Sequence, residues 1–147
     1  MASNSVLRFG ISIPQVFPVD KVDLALIKKV VTRAEQLGYD SAWTLSSVER
    51  SSHQLDALPL LSYVAAITDR IKLGTSVMMP LAYVPLNMAK TLATLDQLSR
   101  GRLIWGIGLG HLTAFGAFGI SPERKVERFE EGAVSYTHLT LPTNREL

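Results

Sequence analysis

Short apolar runs alternate with amphipathic stretches along the chain, and this alternation predicts strands that alternate with helices. The run Leu7–Pro14 is apolar and closed by a proline, as in a strand buried on both faces. From Asp20 the apolar positions recur every three or four residues as far as Ala34, which is the period of a helix. Asp20 is a suitable residue to cap this helix and Gly38 is a suitable residue to end it.

The same pattern occurs three more times. The further predicted strands are Tyr39–Leu45, Ile71–Met79 and Arg102–Gly108. The further predicted helices are Pro59–Thr68, Pro85–Leu98 and one that Ser121, Pro122 and Glu123 open. Strict alternation requires parallel strands with right-handed crossovers, which leaves an open doubly wound sheet or a barrel. A complete barrel of eight units takes about 250 residues, so four units are half of one.

Composition narrows the class of protein. With 147 residues and 47% hydrophobic content the chain can bury a core, which excludes disorder. The 15 basic and 13 acidic side chains are scattered, and no apolar run is long enough to cross a bilayer, so we expect neither nucleic acid nor membrane as a partner. The absence of cysteine excludes a disulfide scaffold and a thiolate metal site and fits a reducing cytoplasm. We expect no metal, so redox chemistry would need a bound cofactor.

The C-terminal stretch departs from the pattern before it. Residues 134–143 match, at all ten positions, the in-frame translation of a transposase-type sequencing adapter; a fifth strand is the alternative. Ser135, Tyr136 and Thr137 are poor helix formers and Pro142 prevents a further helical turn. We therefore predict one domain over residues 1–133 and a non-native tail over residues 134–147 that packs on little of the core.

Three motifs and two flanking segments carry a resemblance to a known family. The motifs are Leu73-Gly74-Thr75, then Leu95-Asp96-Gln97-Leu98-Ser99 with Gly101-Arg102, and finally Gly106-Ile107-Gly108-Leu109-Gly110. Ala34–Trp43 and Glu123–Glu131 are similar as well. Over residues 6–132 the chain resembles the bacterial luciferase-like monooxygenase family, whose members use a reduced flavin or deazaflavin on a parallel barrel of eight strands. The resemblance implies an α/β fold that is the N-terminal half of a (β/α)8 TIM barrel.

The same resemblance implies a function. We expect an oxidoreductase or monooxygenase that uses reduced FMN or coenzyme F420 on a small organic substrate, and a homo-oligomer when the protein is full length. Residues 1–147 alone are expected to be inactive, because the phosphate site of such barrels is typically built from loops after strands seven and eight. Two alternatives stay open: a nucleotide-binding open α/β domain and a non-catalytic barrel fragment.

In a barrel the chemistry lies where the strands end at their C-terminal face. By position, the resemblance implies that Ser76–Val77 is a non-proline cis peptide beneath the flavin ring, and that Gly108 lets the backbone approach that ring. An ordinary strand end, and tight strand packing, are the respective alternatives. The glycine run could also cradle a phosphate, but it lies on the fourth strand, and the dinucleotide fingerprint belongs on the first.

The polar candidates at this face differ from the family pattern. Ser46 and Ser47 stand where several family members carry a Glu-His or Asp-His pair, so Ser46 is a candidate for a hydrogen bond to the flavin edge and Ser47 for a contact with the substrate. A serine hydroxyl is no general base at neutral pH. His111 directly follows the fourth strand and could transfer a proton, and a surface histidine is the alternative.

Overall fold

Four parallel strands form the central sheet. The computed structural model of the chain describes residues 7–18, 21–46, 53–110, 115–116 and 118–140, with the backbone alone for 135–140. The strands are β1 (Gly10–Ser12), β2 (Val16–Phe17), β3 (Ser41–Thr44), β4 (His53–Gln54), β5 (Lys72–Thr75) and β6 (Leu103–Ile104). The helices are α1 (Leu24–Gln36), α2 (Ala57–Ile67), a 3-10 turn (Pro80–Ala82), α3 (Pro85–Leu98) and α4 (Lys125–Thr140).

The order of the central sheet is β1-β3-β5-β6, and every neighbouring pair is parallel. Beyond β5 and β6, a bridge between Met78 and Ile107 continues the parallel pairing. The predicted alternation, the parallel direction and the sequential order of the four strands are therefore confirmed. The strands are shorter than predicted, since the outer residues of each apolar run lie in the connecting segments.

The core lies between the sheet and its helices. Ile27, Val31, Leu61 and Val64 on α1 and α2 are fully buried together with Leu73 of β5. Alternate side chains along each strand point to the opposite face of the sheet. On that face, the side chain of Trp43 on β3 covers Gly10 and Gly74 on the two neighbouring strands. A cavity of about 720 Å³ opens on this second face, so the sheet has one face packed by helices and one that remains open.

The first two helices begin at other residues than the sequence predicts. Asp23, and not Asp20, caps α1, because its Oδ1 accepts a hydrogen bond of 2.8 Å from the Leu26 N–H. Asp56 caps α2, which begins at Ala57, two residues before the predicted start, so Pro59 lies inside the first turn. The predicted end at Gly38 is confirmed by its φ of 84°, which an L side chain rarely adopts.

The loop after β3 contains a short strand, β4. β2 and β4 pair antiparallel there, with Val16 opposite Gln54 and Phe17 opposite His53. Two strands of two residues each carry no readable period, so the pattern of hydrophobic positions does not reveal them. This small sheet joins the end of the first unit to the loop before α2.

The last helix begins later and extends further than the sequence indicates. The Ser121 hydroxyl accepts a hydrogen bond of 3.2 Å from the Glu123 N–H, but regular helix starts only at Lys125. α4 continues to Thr140 and packs against α3, so the expectation that the poor helix formers Ser135, Tyr136 and Thr137 do not continue a helix is wrong. No helix in the described part of the chain is long and apolar enough to span a membrane.

Candidate functional site

The carboxyl ends of the four parallel strands meet at one end of the sheet. They lead into residues 13–15, 45–46, 76–79 and 105–110. The candidates Ser46, Ser76, Val77 and Gly108 all belong to these segments, so the topology brings together the residues that the sequence selected. Ser47 and His111 lie outside the described residues, and their roles stay predictions.

The segment after β5 contains the expected backbone feature. The Ser76–Val77 peptide bond is cis although no proline is present, which confirms the prediction made from the family resemblance. The Ser76 N–H donates to the Thr44 carbonyl oxygen at 2.7 Å, and the Met78 N–H donates to the Gly106 carbonyl oxygen at 2.9 Å. The dipeptide is thus held from both neighbouring strands.

Val77 is apolar and nevertheless exposed. Its exposed fraction is 48%, and Ser76 beside it is exposed as well. In contrast, Met78 and Met79 are buried at 1% and 8%, so these methionines pack in the interior. The carboxyl end of the sheet therefore offers exposed apolar surface with a hydroxyl beside it.

The glycines after β6 are explained by packing between strands. A Cβ on Gly106 would overlap the carbonyl oxygen of Thr75, and a Cβ on Gly108 would lie 2.7 Å from Cγ2 of Val77. The structure thus favours the packing alternative over a phosphate cradle for these two residues. A contact between Gly108 and a cofactor ring stays a prediction.

Thr75 links β5 and β6 through its side chain, which the sequence analysis missed. The residue is fully buried, and its hydroxyl donates to the Gly106 carbonyl oxygen at 2.9 Å. The Gly106 N–H donates to the same hydroxyl oxygen at 3.0 Å. The Thr75 side chain thereby fixes the position of Gly106 relative to the segment that follows β5.

Gln15 makes a similar link between β1 and β3. Its buried amide nitrogen donates to the carbonyl oxygens of Leu45 at 2.5 Å and Leu55 at 2.8 Å, and its oxygen accepts from the Leu45 N–H at 2.8 Å. Leu45 is the residue before Ser46. A glutamine at the end of a strand carries no signal of such a role, since its partners lie 30 and 40 residues away.

Tyr83 approaches the site from the segment after the 3-10 turn. Burial raises the pKa of its phenol and Asp56 raises it further, whereas a hydrogen bond with the Ser46 side chain lowers it, and the net direction is upward. The sequence analysis did not select Tyr83. The available signal was an aromatic residue with a polar tip in the Pro80–Pro85 loop, directly after a candidate strand end.

The match to a family model covers nearly the whole chain. The luciferase-like monooxygenase model matches residues 7–140. Among curated proteins, the F420-dependent glucose-6-phosphate dehydrogenase of Kineococcus radiotolerans is 40% identical over 102 residues, which are 66% of this chain and 30% of that protein. The chain thus spans about a third of the length of such relatives.

Solved structures agree with the fold. The monooxygenase RslO1 from Streptomyces bottropensis superposes with a TM-score of 0.75 at 31% identity, over 90% of this chain and 42% of that one. The oxygenating constituent of 3,6-diketocamphane monooxygenase of Pseudomonas putida, in complex with FMN, superposes with a TM-score of 0.78 over 91% of this chain and 39% of that one. At 19% identity this second likeness concerns the fold alone. The chain is half of a parallel α/β barrel and belongs to the luciferase-like monooxygenase family.

Proposed function

We propose that the protein containing this chain is an oxidoreductase that places the ring of F420 or reduced FMN on Val77. The observation that carries this proposal is an exposed valine at the end of a buried strand, next to the exposed Ser76 in the chain and at the same end of the sheet as the half-buried Ser46. Exposed apolar surface flanked by a few polar groups is typical of a site for a flat aromatic ligand.

The described residues fit such a ring. Val77 offers apolar surface to its face, whereas Ser46 and Ser76 offer donors and acceptors to its polar edge. F420 or reduced FMN, when bound, supplies the hydride or electrons that these side chains do not supply. The chain's own share of the work is to bind the ring, orient it and exclude water from one side.

The comparisons favour F420 as the first cofactor to test. The curated dehydrogenases that match this chain are named F420-dependent, at identities of 40% and 42%. Hydride exchange with a small organic substrate is therefore the first candidate reaction. The likeness to RslO1 at 31% identity supports a second candidate, in which reduced FMN and O₂ are used as in a monooxygenase.

Ser47 and His111 keep their proposed roles in this reaction. Ser47 would hydrogen-bond the substrate, and His111 would transfer a proton, since imidazole is the side chain best suited to gain and lose a proton near neutral pH. We further propose that the complete protein is cytoplasmic and forms a homo-oligomer.

The test substitutes two exposed valines. Val77→Asp places a charge against the proposed ring position, while Val84→Asp, at a residue 63% exposed, places the same charge at the start of α3, seven residues further along the chain. Calorimetric titration of the complete protein with F420 and with reduced FMN should give a micromolar or tighter dissociation constant, on the order of −8 kcal/mol, for one of the two. We expect Val77→Asp to weaken it at least tenfold and Val84→Asp to leave it unchanged.

Equal effects of the two substitutions would place the ring elsewhere. Residues 1–147 alone should bind at best weakly and show no turnover; tight binding by residues 1–147 would mean that their own residues complete the cofactor site. O₂ uptake measured with each reduced cofactor separates the two candidate reactions, because hydride exchange with F420 does not consume O₂.

A further inference from the structure

The central sheet ends in an open edge on each side. Among the described residues, β1 pairs with β3 alone and β6 pairs with β5 alone. An open strand edge is a template for pairing with another chain. We propose that residues 1–147, as a separate polypeptide, bind a second copy of the same chain through these two edges and close a barrel of eight parallel strands.

Two-fold symmetry allows this closure without any change of strand direction. All four strands are parallel and follow the order β1-β3-β5-β6. A two-fold axis that runs along the strands places β6 of each copy beside β1 of the other, in the parallel direction, at two identical junctions. Four strands from each copy give eight, the number at which side chains just fill the inside of such a barrel. Closure therefore removes both open edges at once.

The open face of the sheet supplies apolar surface for the inside of this barrel. The half-buried Trp43 lies over Gly10 and Gly74, and it forms part of the wall of the cavity of about 720 Å³. Charged residues of that wall, such as Arg8 and Asp40, precede the strands, so they stay at the end of the barrel that faces water. A second sheet across the axis covers Trp43, and this burial favours association beyond what two short edges supply.

A groove beside β1 shows where a helix of the second copy packs. This α1 groove has a volume of about 310 Å³. Apolar residues and two cations line it: Ile11 of β1, and Leu26, Lys29, Val30, Arg33 and Leu37 on α1 and at its C-terminal end. Leu26 and Leu37 are 42% and 60% exposed. Exposed leucines clustered beside an open strand edge indicate a surface that binds another element.

The last helix has the properties that match this groove. α1 packs against α2, α2 against α3 and α3 against α4, so the helices follow one another along the sheet. When β6 lies beside β1 of the second copy, the next helix after α4 is α1 of that copy.

α4 presents an apolar side chain and a carboxylate on one face. Val126 is 49% exposed, and the exposed Glu130 follows it four residues later, which places the two side chains next to each other. The valine matches the exposed leucines of the α1 groove, and the carboxylate matches its cations, Lys29 and Arg33. This charge complementarity favours a second copy of the chain as the occupant.

The first test is the mass of residues 1–147 in solution. Sedimentation equilibrium should give twice the 16.1 kDa of one chain, with dissociation to single chains on dilution. A mass of one chain at every concentration would mean that the surface is left for later units of a longer chain, and would overturn the proposal. A series of larger species would also overturn it, because the edges would then pair without closing.

Charge reversal tests the contact between the two helices. Lys29→Glu places a carboxylate near Glu130, and we expect the dissociation constant of the dimer to rise at least about tenfold. Lys28→Glu is the matched control, since it makes the same change at an exposed residue of α1 outside the groove, and it should leave the constant unchanged. Glu130→Lys in the Lys29→Glu background should recover part of the affinity. Equal effects of Lys28→Glu and Lys29→Glu, or no recovery, would overturn this arrangement.

Cross-linking tests the symmetry of the dimer. The sequence contains no cysteine, so introduced thiols are the only ones present. A chain with Leu26→Cys and a chain with Val126→Cys, co-expressed with different tags, should be linked by a short bis-maleimide. Leu26→Cys alone should not link to itself, because the two-fold axis places the two copies of α1 on opposite sides of the barrel.

Far-UV circular dichroism checks that each cysteine variant is folded before it is cross-linked. Efficient linking of Leu26→Cys alone, with none in the mixed pair, would mean that the copies meet through α1 itself. The closed barrel of two copies would then be wrong.

Discussion

Arg102 is a buried cation whose partners are almost entirely backbone carbonyls. It is 9% exposed and lies between the ends of α2 and α3 and the start of β6. Its guanidinium donates to the carbonyl oxygens of Ala65, Thr68, Ile71 and Ser99 and to the Thr68 hydroxyl, at distances from 2.7 to 3.0 Å. Burial lowers the pKa of Arg102, and the nearby Glu35 and Asp69 partly oppose this.

The cost of removing this side chain follows from its partners. Arg102→Met keeps the apolar stem but leaves four carbonyl oxygens without their donor, at about 1 kcal/mol each. Relief of the buried charge returns about 1 kcal/mol. We therefore expect a loss of about 3 kcal/mol in the free energy of unfolding. Arg102→Lys should lose about 2 kcal/mol, because an ammonium cannot reproduce the planar fork.

Urea denaturation followed by far-UV circular dichroism measures both changes. The control is Arg100→Met, whose side chain is 81% exposed and lies 3.9 Å from Asp69, an ion pair expected to contribute less than about 0.5 kcal/mol. If Arg102→Met cost no more than Arg100→Met, the carbonyls would be satisfied by water, and the structural role assigned to Arg102 would be wrong.

Two further predictions concern stability. Burial raises the pKa of the Glu35 carboxyl, but hydrogen bonds from the N–H groups of Ile71, Arg70 and Asp69 outweigh burial and hold that pKa below the ordinary value for glutamate. The contribution of Glu35 to the free energy of unfolding should therefore be complete above the ordinary glutamate pKa and be lost as the pH falls through the lower folded-state pKa. Urea denaturation at a series of pH values should show a smaller loss of stability in acid for Glu35→Gln than for the wild type. Thr75→Val should cost about 2 kcal/mol in thermal unfolding, since it leaves both backbone groups of Gly106 without the hydroxyl; a loss no greater than that of Thr91→Val on the exposed face of α3 would contradict this.

The fold could be predicted from the sequence wherever a long period repeats. α3 occupies Pro85–Leu98 as predicted, because proline starts it and the left-handed residues Arg100 and Gly101 end it. α1 begins later than predicted, since Asp20 and Asp23 both precede it and only side-chain geometry selects Asp23. α2 begins earlier than predicted, because Asp56 caps it before Pro59. The pattern of hydrophobic and polar positions does not show which residue caps a helix.

The candidate site could be predicted only in part. The strand ends follow from alternation, and the cis peptide at Ser76–Val77 follows from the family resemblance. Gln15 and Thr75 act through partners about 30 or more residues away, so no spacing along the chain reveals them. Their roles appear only when the sheet brings the ends of separate units together.

The two glycines after β6, Gly106 and Gly108, affect both the packing between strands and the shape of the proposed binding surface. The space that a Cβ of Gly108 would need is filled by the side chain of Val77, and the space at Gly106 is filled by the Thr75 carbonyl. Val77 can therefore lie against β6 with part of its surface covered and the rest exposed at the mouth. Because these two glycines have no Cβ, Thr75 and Val77 can pack directly against the residues that follow β6. This packing holds the apolar surface of Val77 in place for the proposed cofactor. A glycine required for strand packing thus also shapes the proposed binding surface.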